Sequence, residues 1–366
     1  MAEPKHEELD CDEEQKPHFT FGVIADVQYA DSPDRLSGWK VMRYYRQSLL
    51  HLREAIAEWK KEDFQPKFVF QLGDFIDGCN FHLCESIHSL QVVLKEIENI
   101  DVPFHHIWGN HDLLNFNRDY LKETALNSWS LADRGHEELD LVTAKSSDCT
   151  DYYAYHFSPF PNFRCVVVDS FDISVHGRHS THPKYQESEN VLHGNSHNIE
   201  PGGSKHNLPS QLKEFNGGFS KEQLSWLHEV LTFSDGHNER VLLASHVPIH
   251  PKAALKSCLA WNYKDMLDLL HLHPSVVCYF AGHDHNGGFH KDNYGIYHIT
   301  MEGVIESPPT ANAFATVSVY SDRLVLHGRG RVKSRILHYK KESELKKLTD
   351  KLQGICSLLT HPHTPL

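Results

Sequence analysis

FTFGVIAD, residues 19–26, is an apolar run that ends abruptly on a carboxylate. The pattern returns in KFVFQLGD (67–74), VPFHHIWGNHD (102–112), FRCVVVD (163–169), RVLLASH (240–246) and VVCYFAGHDH (276–285). Short runs rich in Val, Ile and Phe suit strands buried on both faces. Between them lie helical signals. From Val41, apolar residues recur at Tyr45, Leu49, Leu52, Ile56 and Trp59, one face of a helix. Ser220 with Gln223 forms a capping box that starts a helix at 220 or 221. Alternating strands and helices predict an α/β domain whose functional loops leave the carboxyl ends of the strands. Over 286–330 the alternation and turn signals change to those of β-hairpins.

The composition is that of a globular chain, with 40% apolar and 23% charged residues. No run of about 18 apolar residues occurs, so no membrane-spanning helix is expected. Residues 1–17 are acidic and polar, without a basic start or apolar stretch, and read as a loosely ordered tail. Eight cysteines are scattered without a CxxC pair, and Cys165 and Cys278 sit inside apolar runs. Free thiols in the cytoplasm are the expectation. The net charge of −13 argues against nucleic acid as a partner, yet permits an anionic substrate where metal ions invert the local field.

One domain is expected over 18–340, with 170–219 as a long inserted loop and possible lid. That loop carries His176, His179, His182, His193, His197 and His206 at irregular spacing, read as solvated histidines. From 341 the chain is basic, and Leu345, Leu348, Leu352 and Ile355 predict an amphipathic terminal helix packed on the body.

Five segments place oxygen or nitrogen donors just after a strand: Asp26-Val27-Gln28, Gly73-Asp74-Phe75-Ile76-Asp77, Gly109-Asn110-His111-Asp112, Ser245-His246 and Gly282-His283-Asp284-His285. Singly each is weak, because an Asp there caps a helix as readily as it binds a ligand. In this order they resemble the calcineurin-like metallophosphoesterase superfamily: D-x-H, GDxxD, GNH[DE], a single His, and GHxH. The resemblance implies two stacked mixed β-sheets flanked by helices, with two divalent metals at the strand ends. By resemblance Asp74 bridges the metals, Asp26, Gln28 and His285 complete the first site, and Asn110, His246 and His283 complete the second. Two such cations, about 3.5–4 Å apart, generate a hydroxide and neutralise phosphoryl charge. His283-x-His285 has strand spacing, so the Gly282 turn is expected to break the strand and aim both rings inward. His111 is the candidate acid or phosphoryl ligand, with Asp77 as its orienting partner. Asp112 is read as structural and Asp284 as solvated.

Gln28 stands where the superfamily has His. An amide oxygen is a harder and weaker ligand than imidazole and shifts preference from zinc or iron toward manganese, with magnesium also accommodated. The D-x-Q start, with RYYRQSLLHL (43–52), DYYAYHFSPFPNFR (151–164), FNGGFSKEQLSWL (215–227), CLAWNY (258–263) and AGHDHNGG (281–288), resembles a manganese-dependent branch of the superfamily. That branch hydrolyses the diphosphate of ADP-ribose and CDP-alcohols. Small nucleotide-diphosphate substrates and a monomer are therefore expected. Cyclic-nucleotide phosphodiesterase or phosphomonoesterase activity on the same metals is the alternative. A non-catalytic scaffold is opposed by donors at all seven ligand positions. Cys258, Trp261, Asn262, Tyr263, Trp39 and Phe215 are candidates for holding the nucleoside, and Asn216-Gly217-Gly218 is a candidate phosphate-binding turn or, equally, a plain tight turn.

Overall fold

The computed structural model describes residues 16–61, 65–134, 142–143, 152–193 and 209–341. Almost all of the expected tail, the expected terminal helix, and His197 and His206 lie outside the described residues. In chain order the strands are β1 (Phe19–Ile24), β2 (Arg35–Leu36), β3 (Met42–Arg43), β4 (Phe68–Gln71), β5 (Phe104–His106), β6 (Val142–Thr143), β7 (Tyr155–Phe160) and β8 (Phe163–Val167). They continue as β9 (Arg240–Ala244), β10 (Val276–Ala281), β11 (Asn286–Lys291), β12 (Tyr297–Glu302), β13 (Ala313–Val319), β14 (Arg323–Gly330) and β15 (Arg335–His338). The helices are α1 (Tyr45–Trp59), α2 (Cys79–Leu83), α3 (Ser86–Ile97), α4 (Asn110–Asn115), α5 (Arg118–Lys122), α6 (Pro183–His193), α7 (Lys221–Gly236) and α8 (Tyr263–His271).

Two mixed sheets result, ordered β15-β14-β13-β1-β4-β5 and β11-β12-β10-β9-β8-β7-β6. Both mix parallel and antiparallel pairs: β1–β4–β5 run parallel to one edge of the first sheet, with β13, β14 and β15 antiparallel on the other side, and β8–β9–β10–β12 run parallel in the middle of the second. The sheets meet across an aromatic layer. Phe21 of β1 lies edge-on to Phe280 of β10 at 5.9 Å, and Phe68 of β4 edge-on to Phe157 of β7 at 5.2 Å. The opposite face of β1 takes α1, where Trp59 packs against Gly22 and Phe314. α7 packs on β9 of the second sheet, and α8 packs on α7. The parallel pairing sends the carboxyl ends of β1, β4, β5, β9 and β10 to one edge of the seam between the sheets.

Helix α7 starts at Lys221, and the Ser220 hydroxyl accepts from Gln223 N, but the reciprocal half of the expected box is absent: Ser220 N donates to Asp172 Oδ2, and the Gln223 amide is spent on Asp169 and Asp172. The expected face of α1 is buried from Tyr45 to Trp59, but Val41 belongs to the β2–β3 hairpin loop and is exposed. The Arg35 and Arg43 side of that hairpin is tied inward, to Tyr45 and Asp77, so the pairing of β2 with β3 ends the helical pattern before Tyr45. The stretch 170–219 is not loop throughout: α6 occupies Pro183–His193, and Ile173 bridges Gly218 at its base. Its histidines divide, with His179 and His193 exposed and His176 and His182 half-buried.

Behind β11 and β12, His250 stacks on His290 at 4.5 Å and on His298 at 4.6 Å between ring centroids. Burial, reinforced by His298 and His290, holds His250 down to about 4, against the pull of Asp292 and with Lys252 adding to the push. A ring kept neutral in the fold but protonated once unfolded stabilises the fold fully above pH of about 6.5, and that stability is lost as pH falls toward about 4. Thermal unfolding should therefore drop more steeply over that window in the native chain than in His250→Leu. Equal slopes would remove the stack from the acid sensitivity of the fold.

Candidate metal centre

All five strand-end loops converge. The first sheet delivers Asp26 and Gln28 after β1, Asp74 after β4 and Asn110 after β5. The second delivers His246 after β9, and His283 and His285 after β10. Ligand-capable atoms of Asp26, Asp74 and His246 lie within 4.8 Å of one another. His285 Nε2 is 3.3 Å from Asp26 Oδ1, and His246 Nε2 is 3.5 Å from Asp74 Oδ2. Gln28 Nε2 lies 3.0 Å from both Asp74 Oδ2 and His285 Nε2.

The backbone is bent to make this possible. Asp26, Gln28, Asp74 and His283 all have positive φ, at 52°, 44°, 54° and 70°. Non-glycine residues rarely adopt this left-handed region, and such strain concentrates at functional sites. In the GHxH segment it is therefore His283, not Gly282, that breaks the strand. Gly282 supplies room instead: a Cβ there would stand 2.5 Å from Asp26 Oδ2. Gly109 serves Asp74 in the same way, since a Cβ would fall 2.0 Å from its Oδ1.

Hydrogen bonds fix which nitrogen of each ring is free. His246 Nδ1 donates to Leu72 O (2.7 Å), and His283 Nε2 donates to Asn216 Oδ1 (2.7 Å). The Asn216 amide is unambiguous, because its Nδ2 already donates to Gln211 O and Ser257 O. The lone pairs of His246 Nε2 and His283 Nδ1 then face each other at 3.2 Å, with Asn110 Oδ1 3.3 Å from the former. Two buried lone pairs and an amide oxygen converging in this way fit a cation. On the other side, Asp26 Oδ1 and Gln28 Oε1 are buried without a hydrogen-bond partner among the described residues. Turning the Gln28 amide over would present its oxygen beside Asp74 and His285, where Nε2 stands. The donor set thus fits two divalent ions.

Charge follows burial. Burial raises Asp74 to about 6, with His111 opposing and Asp26 adding to the rise. Burial would raise Asp26 too, but the charge of His285, 3.3 Å from its Oδ1, brings it down to about 2. Burial works against a charge on His285, yet Asp26 and Glu306 lift it to about 9. Burial holds His246 and His283 below their ordinary value.

His111 lies at the start of α4, with Nε2 3.8 Å from Asp74 Oδ2. Its Nδ1 accepts from Gly78 N (2.6 Å), so the neutral ring carries its proton on Nε2, facing the cluster. Asp77 Oδ2 is 3.4 Å from the same Nδ1, while Asp77 also caps Cys79 N and pairs with Arg43 at 3.2 Å. Asp77 thus shapes the turn that aims Gly78 N–H at the ring.

A cavity of about 420 Å³ opens over the cluster. Of the nucleoside candidates, Trp39, Phe215 and Cys258 line it. Asn262 and Tyr263 do not: the Asn262 amide is spent on both backbone groups of Phe219, and Tyr263 packs against the core. Trp261 is likewise held away, its Nε1 donating to Lys213 O. Asn216 holds His283 through its side chain, and the N–H groups of Asn216 and Gly218 already donate to Lys213 O and Ile173 O, so this turn serves the cluster. Asp284 is not solvated; it is 3% exposed and accepts from Leu255 N, anchoring the loop that carries Cys258. Arg43 and Glu306 also line the cavity and carry no motif of their own in the sequence.

The chain belongs to the calcineurin-like phosphoesterase family, whose model matches residues 19–287. It is similar to proteins named manganese-dependent ADP-ribose/CDP-alcohol diphosphatase. The one from Homo sapiens is 48% identical over 88% of this chain and 94% of its own length. The one from Arabidopsis thaliana is 35% identical over 87% and 97%. A crystal structure of a dimetal phosphatase from Danio rerio superposes with a TM-score of 0.79 at 43% identity, covering 89% of this chain and all of that one.

Asp112 accepts from Asp74 N (2.8 Å), Phe75 N (3.0 Å) and Gly109 N (2.9 Å), and so locks the β4 and β5 loops together. Asp112→Ala leaves these groups without that acceptor. At about 1–3 kcal/mol per orphaned group, stability should fall by at least about 3 kcal/mol in urea unfolding of metal-stripped protein. A loss under about 1 kcal/mol would contradict this role.

Proposed function

We propose that the chain hydrolyses the diphosphate linkage of ADP-ribose and CDP-alcohols, giving AMP with ribose 5-phosphate, or CMP with a phosphoalcohol. The convergence of seven donors at the seam carries the reading, and the relatives' printed names support the substrate class. Asp26, Gln28, Asp74 and His285 would hold one divalent ion, and Asn110, His246 and His283, with Asp74 shared, would hold the other. Manganese is preferred because oxygen donors from Asp26, Gln28, Asp74 and Asn110 outnumber the three imidazoles. When bound, the ions supply Lewis acidity and a water of lowered pKa.

The protein's own groups do the rest. His111 presents Nε2–H toward the cluster, placed to bind a phosphoryl oxygen or protonate the leaving phosphate. Arg43, in the cavity wall with its Nε buried and unpaired among the described residues, adds a positive charge for the second phosphate. Trp39, 68% exposed at the mouth, and the half-buried Phe215 offer faces for a base, with Cys258 beside them. The cavity is of the size that takes such a ligand. The reading includes a cytoplasmic monomer acting on small nucleotides, consistent with a net charge of −13.

Steady-state assays with ADP-ribose, CDP-choline, a cyclic nucleotide and an aryl phosphate, each with Mn2+ or Mg2+, test the substrate class. The diphosphates should give the highest kcat/KM; an advantage of about tenfold for cyclic nucleotides or monoesters would overturn it. His111→Ala should lower kcat by about 10²–10⁴ with metal content retained. An unchanged rate would remove His111 from the chemistry. Asp74→Ala should lose the paired metals; two fully retained ions by elemental analysis would refute the shared position.

A further inference from the structure

The three imidazoles of the cluster differ in what grips the nitrogen turned away from it. Behind His246 is a backbone carbonyl, Leu72 O, and behind His283 a neutral amide, Asn216 Oδ1. Behind His285 is a carboxylate: Nδ1 donates to Glu306 Oε1 at 2.9 Å. The Glu306 side chain is 6% exposed and ends the short turn Val304–Glu306. That turn is bonded to the loop carrying the other donors of the same site. Val304 N donates to Ala25 O (3.2 Å) and Ile305 N to Asp26 O (3.0 Å). Arg331 clamps the far side, donating to Gly303 O and His285 O. Glu306 is therefore held at a fixed place behind one ring, where a carboxylate orients the imidazole and strengthens it as a donor.

The asymmetry has a partner in the sequence. The site completed by His285 has an amide, Gln28, where the D-x-H pattern of the wider superfamily has an imidazole. Gln28 Nε2 lies 3.0 Å from His285 Nε2, so the weak donor and the reinforced one are neighbours. The second site contains two imidazoles, His246 and His283, and neither has a carboxylate behind it.

We infer that Glu306 is the positioning residue of the first metal site, and that its carboxylate offsets the missing imidazole at position 28 by making His285 a stronger donor. The inference rests on the two-metal reading above. Glu306 touches the metals only through His285, and its effect falls on one site and not on both.

Glu306→Gln is the decisive variant, because an amide oxygen still accepts from His285 Nδ1 while the charge is gone. Metal-stripped protein is titrated with Mn2+, and the free ion is followed by electron paramagnetic resonance. The native chain should bind two ions. In Glu306→Gln one of the two should weaken by about 10–100-fold and the other should not change. Glu306→Asp, which keeps the charge one carbon further back, should fall between. Adding Gln28→His to Glu306→Gln should return the weakened site toward native affinity. Thermal unfolding in chelator should match the native chain, because a merely structural role would shift that unfolding. Two unaltered affinities in Glu306→Gln, or equal weakening of both sites, would overturn the inference. Failure of Gln28→His to restore the site would overturn the offset. A native chain that binds no Mn2+ would instead overturn the two-metal reading.

Discussion

Two imidazole lone pairs, His246 Nε2 and His283 Nδ1, face each other across 3.2 Å, with His246 fully buried and His283 in the cavity wall. Without a cation between such groups the arrangement is repulsive, and each ring would gain by turning. The rings cannot turn, because Leu72 O and Asn216 Oδ1 hold their other nitrogens. Much of the surrounding structure serves to maintain this confrontation. Asn216 is immobilised by two carbonyls of its own, and the Leu72 carbonyl lies just past the end of β4, where strand pairing fixes it.

Holding the donors together also requires strained backbone. Four of the seven donor residues sit in the left-handed region, each at a typical cost of about 1–3 kcal/mol. Such conformations persist only where the surroundings over-determine them. The Asp112 carboxylate collects three backbone N–H groups around Asp74, and Asp26 Oδ2 accepts from His283 N at 3.0 Å. The second of these bonds joins the two sheets directly. The glycines beside the donors matter for the same reason, since carboxylate oxygens occupy the space a side chain would need.

This division explains what could be read from sequence. The central strands were legible because burial on both faces leaves an unbroken apolar run, and the donor residues because they end those runs. Helix α7 was legible from its cap. The hairpin that excludes Val41 from α1 was not, because Arg35 and Arg43 are held by tertiary partners, Tyr45 and Asp77. Within the site, residues that support the donors were the opaque ones. Glu306 meets His285 across 21 positions and Asn216 meets His283 across 67, with no local pattern to mark either. Asn262 and Asp284 were misread for the complementary reason. A polar residue beside a motif looks available for a ligand or for water, and only the fold shows that Phe219 and Leu255 have already claimed it. The turn at 216–218 was open to two readings, a phosphate cradle or a plain tight turn, and its Asn serves a histidine.

The acidity of the chain and the anionic character of the proposed substrate are compatible on the scale of the site. Screening confines most of the −13 to about 8–10 Å around each surface charge. Inside the cavity the local balance is different. Only Asp26 and Asp74 among the donors are anionic, so two dications would leave a surplus of about two positive charges, with Arg43 in the same wall. Asp77 reduces that surplus by pairing with Arg43, and Glu306 reduces it at His285. Both carboxylates act through a neighbour and are nearly inaccessible themselves. With both ions bound, a diphosphate would therefore meet a net positive surface whose partly compensating carboxylates lie behind it.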